Sequence, residues 1–381
     1  MSPDAACTPA GGPVRQEGGR APLAGVRVLD LSALLPGPYA TRLLNDLGAE
    51  VVKVERPDGD AITEMLPGMY EFLNRGKRVL RVDLKTSEGL SMVYALMAEA
   101  DVVVEGFRPG VADRLGVGFE AARQMQPTVV YCSISGFGQD GPDRDEPGHD
   151  IAYEAAGGAF AGPMAAGATI ERPHVPVGDL GSAAFAALTI SATLADRNRT
   201  EACYLDLSMQ EVVAYLAVSR WGTFLQDGNS PTPEELGNYS PGHRVYRTMD
   251  ERFLALAAVE DRFWSRLCVA IGRPELDADP FDSHRGRMRH REELEVELTL
   301  EVGGHRCDLL LERLRAHDVP VAEVADAAGV AASEHLRQRG AVSTVDGQVR
   351  LDFPVRIDGH RSWAGDGLAR MGEGEGWSVR E

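Results

Sequence analysis

The strongest constraint on the fold is an alternation of short β-branched runs with amphipathic stretches, which begins at residue 26. Val26–Leu31 is typical of a strand, Tyr39–Leu47 of a helix that stops at Gly48, and Val51–Val54 of the next strand. Pro38 favours a helix start in the turn before it. A strand, a helix and a strand in this order form a βαβ unit. Its recurrence predicts a parallel sheet with helices on both faces.

The alternation continues to about residue 225 and then changes character. Further strands are predicted at Arg78–Leu84, Val102–Glu105, Thr128–Ile134 and Ala202–Ser208, and helices at Ser87–Glu99, Glu120–Met125, Asp179–Asp196 and Met209–Leu225. A linker rich in Gly, Asn, Ser and Pro follows, and then a hairpin at Arg244–Ala258 and helices at Asp261–Ile271 and Cys307–His317. We therefore expect an α/β protein with a disordered tail (1–21), a large domain (22–225), a linker and small α+β domain (226–335) and a return segment to the large domain (336–381). Strand-like pieces in that segment lie at Gln348–Ile357.

Charge and composition narrow the class of ligand and the compartment. The net charge of −19 disfavours nucleic acid and anionic membranes as partners. The N-terminal residues lack the apolar core of a secretion signal, and the small-residue run Ser182–Ala195 is too short to span a bilayer. Five scattered cysteines without C-x-x-C spacing argue against disulfides and against a zinc site. These features predict a cytoplasmic protein.

The first turn argues against a dinucleotide site, although basic residues suggest an anionic ligand. The turn is L-L-P-G-P and lacks G-x-G-x-x-G. Ligands of open α/β sheets bind at the carboxyl ends of the strands. Basic residues cluster around these predicted ends, at Arg56, Arg75, Lys77, Arg78, Arg81, Lys85, Arg108 and Arg114. They are consistent with a site for a small polyanion, and equally with a solvated basic loop.

Five segments in order resemble the family III CoA transferase and 2-methylacyl-CoA racemase superfamily over residues 22–360. They are PLAGVRVLDLSALLPGPYATRLLNDLGAEVVKVERPDGD, FLNRGKRVLRVDLKTSEG, ADVVVEGFRPGVADRLG, SISGFGQDGP and PVGDLGSA. The resemblance implies a Rossmann-like large domain joined by linkers to a small domain, in an interlocked homodimer. It implies an acyl-CoA thioester as the substrate, with no further cofactor and no metal. By motif matching, CoA would contact Leu35, Arg56, Lys85, Phe107 and Arg114.

The family's reactive carboxylate lies in a G-D-x-G motif, and the resemblance implies Asp179 for that role. Local sequence alone favours a different role, since Asp179 is a good N-cap for the helix predicted after it. The two roles are compatible, because backbone N–H groups at a helix N-terminus hold a carboxylate firmly.

Within the superfamily, His149 in the sequence P-G-H-D favours the racemases, which share a catalytic His there. Racemisation needs one group to remove the α-proton of the thioester and a second to return a proton on the opposite face. His149 and Asp179 would form this pair. Glu260 would orient His149, and Asp150 would support the site as a neighbour.

The thioester oxygen gains negative charge in the enolate and needs N–H donors. We expect Gly181 and Ser182, near the N-terminus of the predicted helix, to supply them.

The main alternative is a CoA transferase, in which the Asp179 carboxylate attacks the thioester and forms an anhydride and then an enzyme thioester. Many such enzymes carry a Gly-rich loop, and the nearest candidate is GNYSPGHR at 237–244. A relative that binds acyl-CoA without a working proton relay is a third alternative. The sequence favours the racemase and leaves the acyl group undetermined.

Overall fold

The computed structural model describes residues 21–160, 175–220, 222–229, 240–361, 367–372 and 375–377. These residues form two compact units, the first at 21–160, 175–219 and 343–377 and the second at 220–342, where 226–335 was expected. The predicted tail and much of the predicted linker, including part of GNYSPGHR, lie outside the described residues. Cys7 also lies outside them, and the other four cysteines are free thiols.

Fourteen strands and sixteen α-helices are described. The strands are β1 (Arg27–Asp30), β2 (Glu50–Glu55), β3 (Arg78–Arg81), β4 (Val102–Glu105), β5 (Val130–Ser135), β6 (Cys203–Ser208), β7 (Val245–Arg247), β8 (Phe253–Leu256), β9 (Val321–Glu323), β10 (Val342–Val345), β11 (Gln348–Leu351), β12 (Arg356–Ile357), β13 (His360–Arg361) and β14 (Ala369–Arg370). The helices are α1 (Pro36–Asp46), α2 (Ile62–Met65), α3 (Pro67–Asn74), α4 (Ser87–Met97), α5 (Val111–Arg114), α6 (Phe119–Met125), α7 (Asp150–Ala156), α8 (Val177–Ala195), α9 (Met209–Leu216), α10 (Gly222–Asp227), α11 (Asp261–Ile271), α12 (His284–Arg289), α13 (Arg291–Gly303), α14 (Cys307–Ala316), α15 (Ala327–Ala332) and α16 (Glu334–Gln338). Short 3₁₀ segments lie at Ala217–Arg220 and Pro274–Asp277.

The first unit is built on one seven-stranded sheet in the order β14–β3–β2–β1–β4–β5–β6. Every neighbouring pair runs parallel, which confirms the predicted α/β class. The chain lays β2 and β3 on one side of β1 and then crosses to place β4 on the other. Such a switch point opens a crevice at the carboxyl ends of the strands, where ligands of open α/β sheets bind.

Each central strand supplies two hydrophobic cores, one on each face of the sheet. Val28, Val102 and Val104 belong to the core that includes residues of α1 and α8. Leu29 and Val103, which alternate with them, belong to the core that includes residues of α4 and α6. Strands buried on both faces are continuous apolar runs, and these runs made the strands predictable from sequence.

Two predicted elements differ from the structure. The helix predicted at Met209–Leu225 is divided into α9, a 3₁₀ segment and α10, in a stretch where Ser219 and Gly222 weaken helix propensity. The return segment does reach the large sheet, but through β14, which pairs with β3. The strand-like pieces predicted at 348–357 form β11 and β12, which pair with β10 and β13 instead.

Helix α8 is long and apolar enough to cross a membrane by length and composition alone, and 33% of the stretch is buried in the fold. Its buried residues, among them Ala183, Ala186 and Ile190, belong to the same core as β1 and β5. The apolar composition of α8 is therefore explained in part by the core of the first unit.

The second unit has a core of its own. Strands β7, β8 and β9 form a sheet in which β8 pairs antiparallel with both neighbours, and the predicted hairpin supplies β7 and β8. Trp264 on α11 is fully buried in the same core as Leu294 and Leu310 from α13 and α14. Its indole N–H donates to the carbonyl of Leu276 at 2.6 Å. A large aromatic ring with a satisfied polar atom anchors this unit.

Candidate active site

The residues that the resemblance assigns to CoA follow the carboxyl ends of four neighbouring strands. Leu35 follows β1, Arg56 follows β2, Lys85 follows β3, and Phe107 and Arg114 follow β4. Because these strands are parallel, their loops lie at one edge of the sheet. Leu35 and Phe107 flank the switch point between β1 and β4, where a ligand crevice is expected.

Half of the basic residues predicted at this edge are paired with acidic side chains of the fold. Four of them form ion pairs within the first unit, namely Arg75–Asp352, Lys77–Asp30, Arg78–Glu50 and Arg81–Glu55. Arg56 is exposed and pairs with Asp58 at 3.2 Å. Lys85, Arg108 and Arg114 are exposed and have no ion-pair partner among the described residues. These three side chains are therefore the cations most available to a ligand at this edge, and the polyanion site itself stays a prediction.

The turn after β1 contains a strained backbone. Leu34 has a φ of +64°, in the left-handed region that costs a non-glycine residue roughly 1–2 kcal/mol. Its N–H faces the carboxylate of Asp60 at 3.3 Å, and Asp60 pairs with the buried Lys53 at 3.1 Å. Lys53 also donates to the carbonyl of Ser32 at 2.8 Å. Lys53 and Asp60 thus hold both ends of the turn, and strain held in this way is typical of functional sites.

A buried ion pair lies beneath this turn. Asp30 is fully buried and accepts hydrogen bonds from Ser32, Thr41 and Lys77. Burial would raise the pKa of Asp30, but the positive charges of Lys77 and Lys53 hold it at about 2. Burial lowers the pKa of Lys77 to about 7, against the attraction of Asp30. The turn therefore lies against an ion pair that is fully buried.

Glu105, at the carboxyl end of β4, positions the backbone of a predicted CoA contact. Its carboxylate accepts the N–H of Phe107 at 2.7 Å. Burial raises the pKa of Glu105 to about 7, against hydrogen bonds from Ser133 and Phe107 that lower it. The sequence analysis did not single out Glu105, although a lone acid that ends an apolar strand is a recognisable signal.

The candidate nucleophile lies where two helices meet. Asp179 is partly exposed in the first turn of α8, and its backbone N–H donates to Oδ1 of Asp150 at 3.0 Å. The N–H of Val177 donates to Oε1 of Glu154 at 2.9 Å. Asp150 and Glu154 lie one turn apart on α7, and both are buried. Carboxylates of α7 therefore cap the N-terminus of α8.

The predicted start of this helix is wrong. Helix α8 begins at Val177 with Pro176 as its N-cap, so Asp179 is the third residue of the helix and not its cap. Gly181 and Ser182 are its fifth and sixth residues. Only the first N–H groups of a helix lack intrahelical partners, so the N–H groups of Gly181 and Ser182 are engaged within α8. The oxyanion role of Gly181 and Ser182 therefore competes with the hydrogen bonds of the helix, and it stays a prediction.

Tyr153 links Asp179 to the edge of the sheet. Its ring packs against Gly136 and Gly148, where a Cβ would come within 2.4 and 2.5 Å of ring atoms. Burial raises the pKa of Tyr153, the charge of Asp179 raises it further, and the charge of Arg108 opposes both. Helix α7 therefore contacts the end of β5 through Tyr153 and the start of α8 through Asp150.

Sequence analysis missed Tyr153 and Glu154. Their spacing from Asp150, at i+3 and i+4 on α7, places all three on one face of a helix. With Asp150 as a candidate residue, this helical spacing would have predicted both of them.

His149 and Glu260 belong to different units, and each stands at a helix start. His149 is the exposed N-cap residue of α7, and its carbonyl accepts the N–H of Ala152 at 2.7 Å. Glu260 is the N-cap residue of α11 in the second unit, and its exposed side chain makes no capping hydrogen bond. The structure brings Asp150 together with Asp179, and the proposed pairing of Glu260 with His149 stays a prediction.

Known proteins match this chain over most of its length. The family model described as CoA-transferase family III matches residues 23–363. The chain is 34% identical over 352 residues to the succinyl-CoA:mesaconate CoA-transferase of Haloarcula hispanica, covering 88% of both proteins. It is 36% identical over 257 residues to the alpha-methylacyl-CoA racemase of Mus musculus, covering 66% of this chain and 65% of that protein.

Among solved structures, the chain resembles a CAIB/BAIF family protein from Brucella suis. The TM-score is 0.81 at 27% identity, and the match covers 92% of this chain and 97% of the other. The family match and the relatives each span most of the chain, and they confirm the resemblance drawn from the five sequence segments. The chain belongs to CoA-transferase family III.

Proposed function

We propose that the protein is a CoA transferase that moves CoA from an acyl-CoA thioester to a free carboxylic acid, with Asp179 as the nucleophile. The observation that carries the proposal is that α7 contacts both the start of α8 and the edge of the sheet. Asp150 accepts the N–H of Asp179 at 3.0 Å, and the ring of Tyr153 packs against Gly136, directly after β5. A reactive carboxylate then lies beside the edge where basic residues could hold CoA. Support also comes from the transferase relative, whose match covers 88% of this chain, against 66% for the racemase relative.

The chemistry proceeds through two kinds of acyl intermediate on Asp179. Its carboxylate attacks the thioester carbon and expels the CoA thiolate, which leaves a mixed anhydride. The thiolate attacks the aspartyl carbonyl, which releases the donor acid and leaves an aspartyl–CoA thioester. The acceptor carboxylate then attacks this thioester and expels the thiolate, which finally attacks the acceptor's acyl carbon and regenerates Asp179.

Tyr153 is suited to assist these steps. Its raised pKa keeps the phenol neutral, so the hydroxyl can donate a hydrogen bond to an oxygen that gains negative charge. Lys85, Arg108 and Arg114 are the cations expected to hold the phosphates of CoA, because among the described residues none of them has an ion-pair partner.

A racemase is the second candidate, and the position of His149 favours it. His149 directly precedes Asp150, the residue that binds the N–H of Asp179. In this reaction one of His149 and Asp179 removes the α-proton, the enolate forms, and the other returns a proton on the opposite face. Glu260 would orient His149.

A homodimer, which the resemblance implies, is part of the proposal. On the first unit, Leu188 of α8 is 62% exposed and Tyr215 of α9 is 72% exposed. Large apolar side chains exposed on adjoining helices are typical of a surface that a protein partner covers. Light scattering after size-exclusion chromatography measures the oligomeric state, and a mass near 41.0 kDa would contradict the dimer.

One pair of assays separates the two activities. The full chain is incubated with succinyl-CoA or acetyl-CoA and a panel of free acids, and new thioesters are identified by mass spectrometry. A parallel sample receives (R)- or (S)-2-methylacyl-CoA in D₂O, and deuterium at C2 is measured.

Thioester exchange that is lost in Asp179→Asn, kept in His149→Ala and trapped by hydroxylamine at Asp179 would support the transferase. Deuterium uptake with loss of chirality, abolished by both variants, would establish the racemase in its place. Neither exchange nor uptake would contradict both proposals for the substrates tested.

A further inference from the structure

Three backbone positions at the start of α8, namely Pro176, Val177 and Asp179, offer no N–H to the Asp179 carboxylate. An acidic side chain at the third position of a helix commonly reaches back to the N–H of the N-cap residue. That bond would stabilise the carboxylate, lower its pKa and make it a weaker nucleophile and base. In α8 the N-cap residue is Pro176, which has no N–H to donate.

Two N–H groups of this turn donate to side chains of α7. Glu154 accepts the N–H of Val177 at 2.9 Å, and Asp150 accepts the N–H of Asp179 itself at 3.0 Å. Gly178 makes the approach possible, because a Cβ there would come within 2.9 Å of Oδ1 of Asp150. The helix end is thus capped by acids of another element.

We propose that Glu154 is a positioning residue that, with Asp150, caps α8 in place of Asp179 and so keeps the Asp179 carboxylate reactive. Glu154 is 0% exposed, and a buried carboxylate is retained only where hydrogen bonds compensate its charge. The positive end of the α8 dipole supplies such compensation. The inference rests on the proposed function in one respect, that Asp179 is the reacting group, and it holds for transferase and racemase alike.

Loss of the Glu154 acceptor would free the N–H of Val177 for Asp179, whereas loss of its charge alone would leave that N–H bound. The acceptor and the charge can therefore be separated by substitution.

The test compares Glu154→Gln, which keeps an acceptor oxygen, with Glu154→Leu, which does not. We expect Glu154→Gln to keep kcat within about twofold of the wild type, and Glu154→Leu to lower kcat by about three- to tenfold, because a one-unit fall in the pKa of a reacting carboxylate lowers its reactivity by at most tenfold. The KM for acyl-CoA should stay unchanged. The acidic limb of the kcat profile should move to lower pH by about one unit in Glu154→Leu only.

A second substitution supplies the matched control. Proline is tolerated at the first position of a helix and removes its N–H. In the double variant Glu154→Leu/Val177→Pro, the freed donor no longer exists, so the acidic limb should return toward the wild-type position. Ser333→Ala removes the cap of α16 in the second unit, where Ser333 accepts the N–H of Leu336 at 3.3 Å. It should change thermal stability without moving the pH profile.

A readout that needs no turnover keeps the inference separate from the proposed function. The rate at which a water-soluble carbodiimide modifies Asp179, followed by peptide mass spectrometry across pH, reports the titration of that carboxyl group. A midpoint lower in Glu154→Leu than in the wild type supports the inference even if no acyl-CoA tested is turned over.

Two results would overturn the inference. An unshifted midpoint and acidic limb in Glu154→Leu, with only a lower Tm, would make Glu154 a structural cap. Equal impairment in Glu154→Gln and Glu154→Leu would assign the effect to charge and not to the hydrogen bond.

Discussion

The ammonium group of Lys77 lies 3.1 Å from the carboxylate of Asp30, and both side chains are fully buried. Lys77 also donates to the carbonyl of Pro38 and to the hydroxyl of Thr41, each at 2.8 Å. One side chain therefore ties the start of β3 to the end of β1 and to the first turn of α1. These elements lie at the switch point between β1 and β4, so the geometry of the turn there depends on this pair.

Removing one partner of this pair should destabilise the protein strongly. We expect Lys77→Met to lower the free energy of unfolding by about 3–5 kcal/mol, because Asp30 is left as a buried, uncompensated charge. Urea unfolding measures the change. The double variant Lys77→Met/Asp30→Asn should recover a large part of the loss, and the exposed Arg56→Met should cost less than about 1 kcal/mol. Equal losses in the single and double variants would contradict the explanation.

Glu105 should make stability depend on pH between about 4.5 and 7. Its pKa is raised from 4.5 to about 7 in the folded protein, so the folded state holds a proton that the unfolded state has lost in this range. Its contribution is complete below pH 4.5 and is lost as pH rises through 7, about 3 kcal/mol in all. Glu105→Gln should therefore flatten this part of the profile and raise the free energy of unfolding at pH 8.

The measurement for Glu105 is urea unfolding at a series of pH values. The exposed Glu120→Gln is the control and should leave the shape of the profile unchanged. A profile of Glu105→Gln that runs parallel to the wild type would show that Glu105 is ionised throughout this range in the folded state.

The strain at Leu34 predicts an order of stabilities. Glycine adopts the left-handed region freely, whereas a β-branched residue adopts it poorly. Leu34→Gly should therefore be as stable as the wild type or up to about 1 kcal/mol more stable. Leu34→Val should be less stable than the wild type by about 1 kcal/mol or more. Leu309→Gly, at an exposed position within α14, should instead lose about 1 kcal/mol. Thermal unfolding of the three variants gives the order, and a less stable Leu34→Gly would contradict the strain.

Exposed and paired cations at the sheet should differ in their effect on substrate binding. Lys85→Met and Arg114→Met should each raise the KM for acyl-CoA by about tenfold, since a charge-assisted hydrogen bond to phosphate is worth about 1.5–3 kcal/mol. Arg78→Met is the control, because Arg78 pairs with Glu50 at 2.9 Å and should leave KM unchanged. The effect of Lys85→Met should shrink at high salt. An equal rise in KM for Arg78→Met would contradict the distinction between exposed cations that bind acyl-CoA and cations that are paired within the fold.

The sequence alone determined the class of the fold. Runs such as VVVE at Val102–Glu105 are buried on both faces, and their uninterrupted apolar pattern specified a strand without any knowledge of neighbours. Helix α11, at Asp261–Ile271, was equally readable from local signals, because its amphipathic pattern ends at Gly272 in the left-handed region. The order of motifs also specified the family, and the family match confirmed it.

Only the tertiary structure decided where α8 begins and which of the predicted cations are paired within the fold. Local pattern made Asp179 a helix cap, but α8 starts earlier because Glu154 and Asp150, distant in sequence, bind its first N–H groups. The local sequence also does not show that Lys77 is buried in an ion pair whereas Lys85 is exposed. That difference depends on which acidic side chain the fold places beside each lysine. Hydrogen bonds and ion pairs between elements distant in sequence decide both outcomes, and a local pattern does not contain them.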